Sequence, residues 1–217
     1  MLFGSVPSFI ESENMETQKS CIFEIMNTEF SRYLSAQTDL DDDAIRRIES
    51  LASSRSLRRK ENVFQAGEIC RHKVFVVRGL LRTFGTSDDG SEHILQFSPE
   101  LNWTLDAESY DRQVPSRVSI GAIEASEVLL WTKNDFDSLL KSTPALKTLA
   151  EQIIARNMHY SRQRILMTLS ATPEEKYAEF VQTFPTYLSR LPLRMIAAYL
   201  GISIKTLTRI RHAQLQR

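Results

Sequence analysis

Cysteine, histidine and glycine are scarce in this chain: two, four and seven in 217 residues. Cys21 and Cys70 lie far apart with no metal-ligand spacing, and both read as free thiols of a reducing cytoplasm. Two distant thiols cannot supply a four-thiolate iron–sulfur site. His72, His93, His159 and His212 form no HxH or HExxH pair, which argues against a metal site or a bound cofactor. No apolar run reaches membrane-spanning length, so no membrane partner is expected. The first residues, MLFGSVPSFIESENMETQK, lack the basic start and long apolar middle of a secretory signal. The formal net charge is zero, which argues against general coating of polyanions.

One stretch departs from that neutrality. From Thr186 to Arg217 there are six cations (Arg190, Arg194, Lys205, Arg209, Arg211, Arg217) and no Asp or Glu, a local charge of +6. The remainder carries the balancing −6. Within the basic end, LRMIAAYLGISIKTLTRIR (193–211) fits two short helices broken at Gly201. The first is expected from about Pro192 to Leu200, with proline in the first turn. Ser203 is a good N-cap for the second. Ile196, Ala197, Leu200, Ile202, Leu207 and Ile210 would point inward. Lys205, Thr206, Thr208, Arg209 and Arg211 would point outward. That pattern is a helix-turn-helix, whose second helix enters a DNA major groove. The plainer alternative is a helical hairpin that only packs.

Upstream, residues 1–26 read as a loosely ordered extension. Phe30, Tyr33 and Leu34 share a helical face, and Asp39 or Asp41 can cap a second helix carrying Ile45, Ile48 and Leu51. From Leu57 to Trp131 strand-like runs alternate with turn signals, including Gly67, Gly79 and the hairpin turn Asp88-Asp89-Gly90. Many short strands, with helices before and after but none inside, predict an antiparallel roll. Asn134 or Asp135 caps a short helix, and Pro144 opens a long one reaching Ser170. Leu146, Leu149, Ile153, Arg156 or Asn157, Tyr160, Arg164 and Met167 approximate an a/d ladder, for which pairing with a second copy is the simplest partner. Thr172-Pro173-Glu174-Glu175 starts a further helix. The fold class is therefore α+β: a roll sensor domain over 27–143, a dimerisation helix over 144–170, and an all-α helix-turn-helix domain over 171–217.

In that order, these elements resemble the CRP/FNR family of bacterial transcription regulators. The resemblance rests on ENVFQAGE, FVVRGLLRTF, DDGSEHILQF, SRVSIGAIEASEVLLW and LRMIAAYLGISIKTLTRIR. RIxxTLSATPEEKYxxF and the ending just past the second helix are similar to short members from the Bacteroidetes that lack a β-wing. The resemblance implies a cytoplasmic homodimer that binds double-stranded DNA through half-sites one helical turn apart, with RNA polymerase as a further partner and no catalysis. Ser203, Lys205, Thr206 and Arg209 fall where family members approach bases and phosphate. Lys205 and Arg209 are the expected base readers; Arg194, Arg211, Thr206 and Thr208 are the expected phosphate contacts. Lys205 and Ile204 depart from the commonest pattern, so the half-site should differ.

Family members that bind cyclic nucleotides carry a Gly-Glu pair followed by an arginine and a small hydroxyl residue. The matching stretch here is LNWTLDAESYDRQVPSRVS, with Trp103-Thr104 in place of Gly-Glu. Asp106 or Glu108 stands at a shifted position, and Arg117 is one residue out of register, which on a strand reverses the face. Trp103, Asp106, Ser116 and Arg117 are the candidate effector contacts, and the expected effector is a small molecule other than cyclic AMP. Two other functions compete. An oxygenase built on such a roll would show an HxH pair, which is missing. A ligand-sensing or protein-interaction protein whose helix-turn-helix does not bind DNA is the remaining alternative.

Overall fold

Capping chemistry sets most helix boundaries. The structure, a computed structural model, describes the backbone of residues 9–215 and the side chains of residues 23–214. Residues 1–8 of the expected extension and the Cys21 side chain lie outside the described residues. Helix α1 spans Phe9–Gln37. It starts well before the expected Asn27, and Met26 is already buried against the roll. Asp41 caps α2 (Asp42–Ser50) by accepting from the Ala44 N–H at 2.7 Å.

Eight strands follow: β1 (Ser53–Leu57), β2 (Asn62–Phe64), β3 (His72–Arg78), β4 (Leu81–Thr86), β5 (Glu92–Ser98), β6 (Asn102–Thr104), β7 (Ser119–Ala122) and β8 (Ser126–Thr132). They form two antiparallel four-stranded sheets, ordered β1-β8-β3-β6 and β2-β7-β4-β5. A short helix, α3 (Ala107–Arg112), interrupts the strands. The sequence pattern predicts no helix there; six residues are too few to show helical periodicity.

Helix α4 (Lys133–Ser142) is capped by Thr132, two or three residues before the expected Asn134 or Asp135. Thr132 ends β8 and turns the chain in the same step, so the strand and the cap share a residue. Helix α5 spans Pro144–Ser170, and α6 (Pro173–Thr183) opens with a complete Thr172/Glu175 capping box. Helices α7 (Tyr187–Arg190), α8 (Leu193–Leu200) and α9 (Ile204–Leu215) complete the chain. Among the described residues no helix is long and apolar enough to cross a membrane.

Three apolar clusters hold these layers. Leu57, Val74, Val76, Leu81, Ile120 and Val128 fill the space between the sheets. Phe30, Phe75, Trp103, Trp131 and Phe136 join the outer face of the first sheet to α1 and α4. Trp131 is fully buried there, and its indole N–H donates to the Ile48 carbonyl at 2.8 Å. The third cluster joins Leu80, Phe84, Ile94 and Phe97 of the second sheet to Tyr187, Met195, Tyr199 and Leu200. The helix-turn-helix is thus docked on its own roll.

Helix α5 has two apolar faces. Leu146 and Leu149 are buried, and Ile153, Tyr160, Arg164 and Met167 are partly buried. These ladder positions pack on the chain's own roll and helix-turn-helix. The exposed face carries Ile154, Met158, Ile165 and Leu169, each more than half exposed. The ladder read from sequence is therefore the inward stripe. Both stripes repeat every three to four residues, and sequence spacing does not say which one meets the body.

Candidate nucleic-acid interface and sensing face

The sites begin with local backbone chemistry. Gly201 ends α8 in the left-handed region at φ 66°, which a side-chain-bearing residue enters only at a cost. Ser203 then accepts from the Thr206 N–H at 3.0 Å and caps α9. Ile196, Ala197, Leu200, Leu207 and Ile210 are buried, and Ile202 is partly buried against them. Pro192 stands as the N-cap of α8 rather than inside it.

Burying Leu207 and Ile210 turns the other face of α9 outward. Lys205, Thr208 and Arg209 are exposed there, with Thr206 and Arg211 partly so. Six of the seven predicted contacts therefore lie on α9 or its cap; Arg194 is exposed on α8. The Thr208 hydroxyl donates back to the Ile204 carbonyl at 2.9 Å. Arg209 reaches Glu174 of α6 at 3.4 Å. Glu174 sits in the capping-box turn and was not among the residues singled out in the sequence for this surface.

Two arginines fix the helix-turn-helix on the roll, and neither stands out in the sequence as a docking residue. Arg164 of α5 donates to the carbonyls of Ile94, Leu95 and Tyr199 and stacks 3.9 Å from the Tyr199 ring. Arg190 of α7 donates to both Glu100 oxygens and to Glu124. The two carboxylates raise the Arg190 pKa further above its ordinary value.

The four candidate effector residues are not brought together. Asp106 and Ser116 meet, the serine hydroxyl donating to the carboxylate at 2.6 Å. Arg117 lies exposed in the segment before β7, on no strand. Trp103 is buried, but outside the roll. It pairs with Phe75 in antiparallel register, and directly opposed side chains share a face. That face looks toward α1 and α4, so Trp103 does not crowd the inter-sheet space. The inter-sheet space is filled instead, with Tyr110 of α3 inserted among Val74, Val76 and Ile120. Burial raises the Tyr110 phenol well above its ordinary value, so it stays neutral.

Known proteins match this arrangement. The profile of the family "Cyclic nucleotide-binding domain" matches residues 54–143. The Transcriptional activator protein FnrA of Stutzerimonas stutzeri is 28% identical over 190 residues, covering 79% of this chain and 72% of that protein. The Transcriptional activator protein anr of Pseudomonas aeruginosa is 26% identical, covering 75% of this chain and 70% of that protein. The chain is thus similar to transcription regulators of the CRP/FNR type. Among solved structures, that of FixK2 from Bradyrhizobium japonicum shares the fold at TM-score 0.66 and 21% identity, covering 76% of this chain and 84% of that one. The global regulator CLP from Xanthomonas campestris, described as c-di-GMP responsive, shares it at 0.69 with 12% identity, covering 81% of this chain and 93% of that one. The Asp106–Ser116 contact lies within the residues matched by the cyclic nucleotide-binding domain family.

Proposed function

We propose that this regulator is a homodimer that binds double-stranded DNA sequence-specifically and answers a small effector other than cyclic AMP at its roll. The observation that carries the reading is α9. It offers Lys205, Arg209 and Arg211 outward, its apolar side is fixed on α6 and α8, and no acid stands between Thr186 and Arg217. Arg209 and Lys205 read bases, because arginine spans guanine O6 and N7 with two donors. Arg194, Arg211, Thr206, Thr208 and the capping Ser203 hold the backbone.

The exposed stripe of α5, from Ile154 to Leu169, supports pairing of two copies through that helix. Two recognition helices would then enter successive major grooves. An acid at Asp106, engaged by Ser116, and an exposed Arg117 both disfavour a cyclic phosphate there. RNA polymerase is the further partner through which DNA occupancy would change transcription; the protein binds and does not catalyse.

Selection of genomic fragments by the purified protein at moderate salt tests the reading. An enriched two-fold-symmetric motif is the expected result. Absence of enrichment, with and without a metabolite extract, would instead make α9 a protein-interaction surface.

A further inference from the structure

A cavity of about 220 Å³ lies between the first half of α5, α4 and the edge strand β6. Lys73, Trp103, Thr104, Phe136, Leu149 and Ile154 are among its walls. It is separate from the Asp106–Ser116 contact, neither residue of which lines it. Most of its surface is apolar, so an apolar body is what it would shield from water.

One cationic group stands in those walls. The Lys73 ammonium lies over the rings of Phe136 and Trp103, 4.7 and 5.9 Å from their centroids. Among the described residues it makes no ion pair. Asp137, one of the two acids near it, is engaged by Lys133 at 3.3 Å, and Asp111, the other, is exposed. Burial pushes the Lys73 ammonium below the ordinary lysine value, with Asp111 and Asp137 only partly opposing it. The Thr104 hydroxyl is buried without a hydrogen-bond partner, but Thr104 pairs with Val74 and so turns to the inter-sheet side rather than into the cavity. A partly buried ammonium without an ion-pair partner at the wall of an apolar cavity is costly when empty and favourable when an acceptor arrives.

We infer that this cavity binds a small monocarboxylate with an apolar body, its carboxylate accepting from Lys73 and its chain or ring lying against Trp103, Phe136 and Leu149. The inference rests on the reading of the roll as the sensing half and supplies its ligand class. Size decides against a nucleotide, since the volume falls short of the roughly 300–1,000 Å³ typical of sites for drug-sized ligands. Charge decides against polyanions, since one lysine faces the space. Ile154 links the site to the proposed dimer seam, because it both lines the cavity and stands on the exposed stripe of α5. A ligand packed on Ile154 would bias the seam and, through α5, the attached helix-turn-helix.

Direct binding tests this without DNA, so its outcome is independent of whether α9 reads DNA. Octanoate and phenylacetate, one a chain and one a ring, are titrated into the full-length protein against octanamide and phenylacetamide. Intrinsic fluorescence reports the site, because one of the two tryptophans lines it and the other lies 5.1 Å from that ring. A saturable change with at least one carboxylate is expected, with the matching amide at least about tenfold weaker, the size of one lost charged hydrogen bond. Lys73→Met should weaken carboxylate binding to the same degree while Lys73→Arg retains it. No saturable change with either carboxylate would overturn the inference. So would amides binding as well as carboxylates in the unmutated protein, a comparison that holds even if Lys73→Met does not fold.

Discussion

Arg190 and Glu100 stand 90 residues apart and meet as a two-pronged pair at 2.7 and 3.1 Å. The pair ties the helix ahead of the helix-turn-helix to the roll, and Glu100 also accepts from the Gly79 N–H. Burial alone would push the Glu100 carboxyl up; hydrogen bonding and charge from Arg190 outweigh it and leave the carboxyl below its ordinary value. A carboxylate depressed in the native state contributes stability above its unfolded pKa, and that contribution is lost as pH falls through the native value. Docking of the helix-turn-helix should therefore hold at neutral pH and loosen in acid, below about pH 4. Arg190→Ala should cost about 1 kcal/mol, because the pair is partly exposed and solvent screens it. Urea unfolding at neutral and acid pH checks both statements; a difference between native and Arg190→Ala proteins that persists undiminished in acid would contradict the assignment.

Helix α5 allows a cleaner separation of folding from assembly. Met158 and Ile165 are exposed in the single chain, whereas Leu149 is buried against the roll. Met158→Asp and Ile165→Asp should leave the melting temperature of the protomer nearly unchanged and shift sedimentation to a monomer. Leu149→Ala should do the reverse, costing about 2–5 kcal/mol of stability through the cavity it leaves. A monomer produced by neither aspartate would place the seam elsewhere.

Capping chemistry was legible in the sequence because it is local. Asp41, the Thr172 box and Gly201 each act within three or four residues, and the structure places all of them at helix ends. The roll, too, was legible from its turn spacing. The facing of Trp103 was not, because it depends on pairing with Phe75, a partner 28 positions away whose register no local pattern fixes. The inward stripe of α5 stood out as a ladder, but the direction it faces did not, for a related reason. Arg164 sits in it, and a charged residue at a packed position makes sense only once the carbonyls of Ile94, Leu95 and Tyr199 are known to surround it. The cavity walled by Lys73 was equally hidden, since β3, β6, α4 and α5 supply its walls from distant parts of the chain.

Two glycines in the left-handed region should respond differently to the same change. At Gly201, φ is +66° and an added Cβ meets nothing within 4 Å. Gly201→Ala should cost only the conformational term, about 1–2 kcal/mol. At Gly79, φ is +92° and an added Cβ would lie 2.3 Å from Ser126 Oγ and 2.7 Å from the Ala125 carbonyl oxygen. A backbone oxygen cannot move aside as a flexible side chain can. Gly79→Ala should therefore add a steric cost, reaching about 3 kcal/mol or more. Thermal melts of the two variants, side by side, decide it; equal losses would show that the β3–β4 turn yields.

Arg209 brings the proposed base reading to a quantitative test. Its guanidinium lies 3.4 Å from Glu174, and the two side chains are 74% and 57% exposed. An exposed pair of this kind is worth about 0–1 kcal/mol. Glu174 therefore cannot lock Arg209 away from DNA, and Glu174→Ala should tighten DNA binding by no more than a few-fold. Arg209→Ala should cost about 1–3 kcal/mol and relax preference at one base pair of each half-site, while Arg211→Ala should weaken all sequences alike and lower the salt slope by about one. Binding-site selection with each variant separates these outcomes. If Arg209→Ala instead weakens every sequence equally, the arginine holds phosphate, and Lys205, one turn earlier on the same exposed face, is left as the base reader.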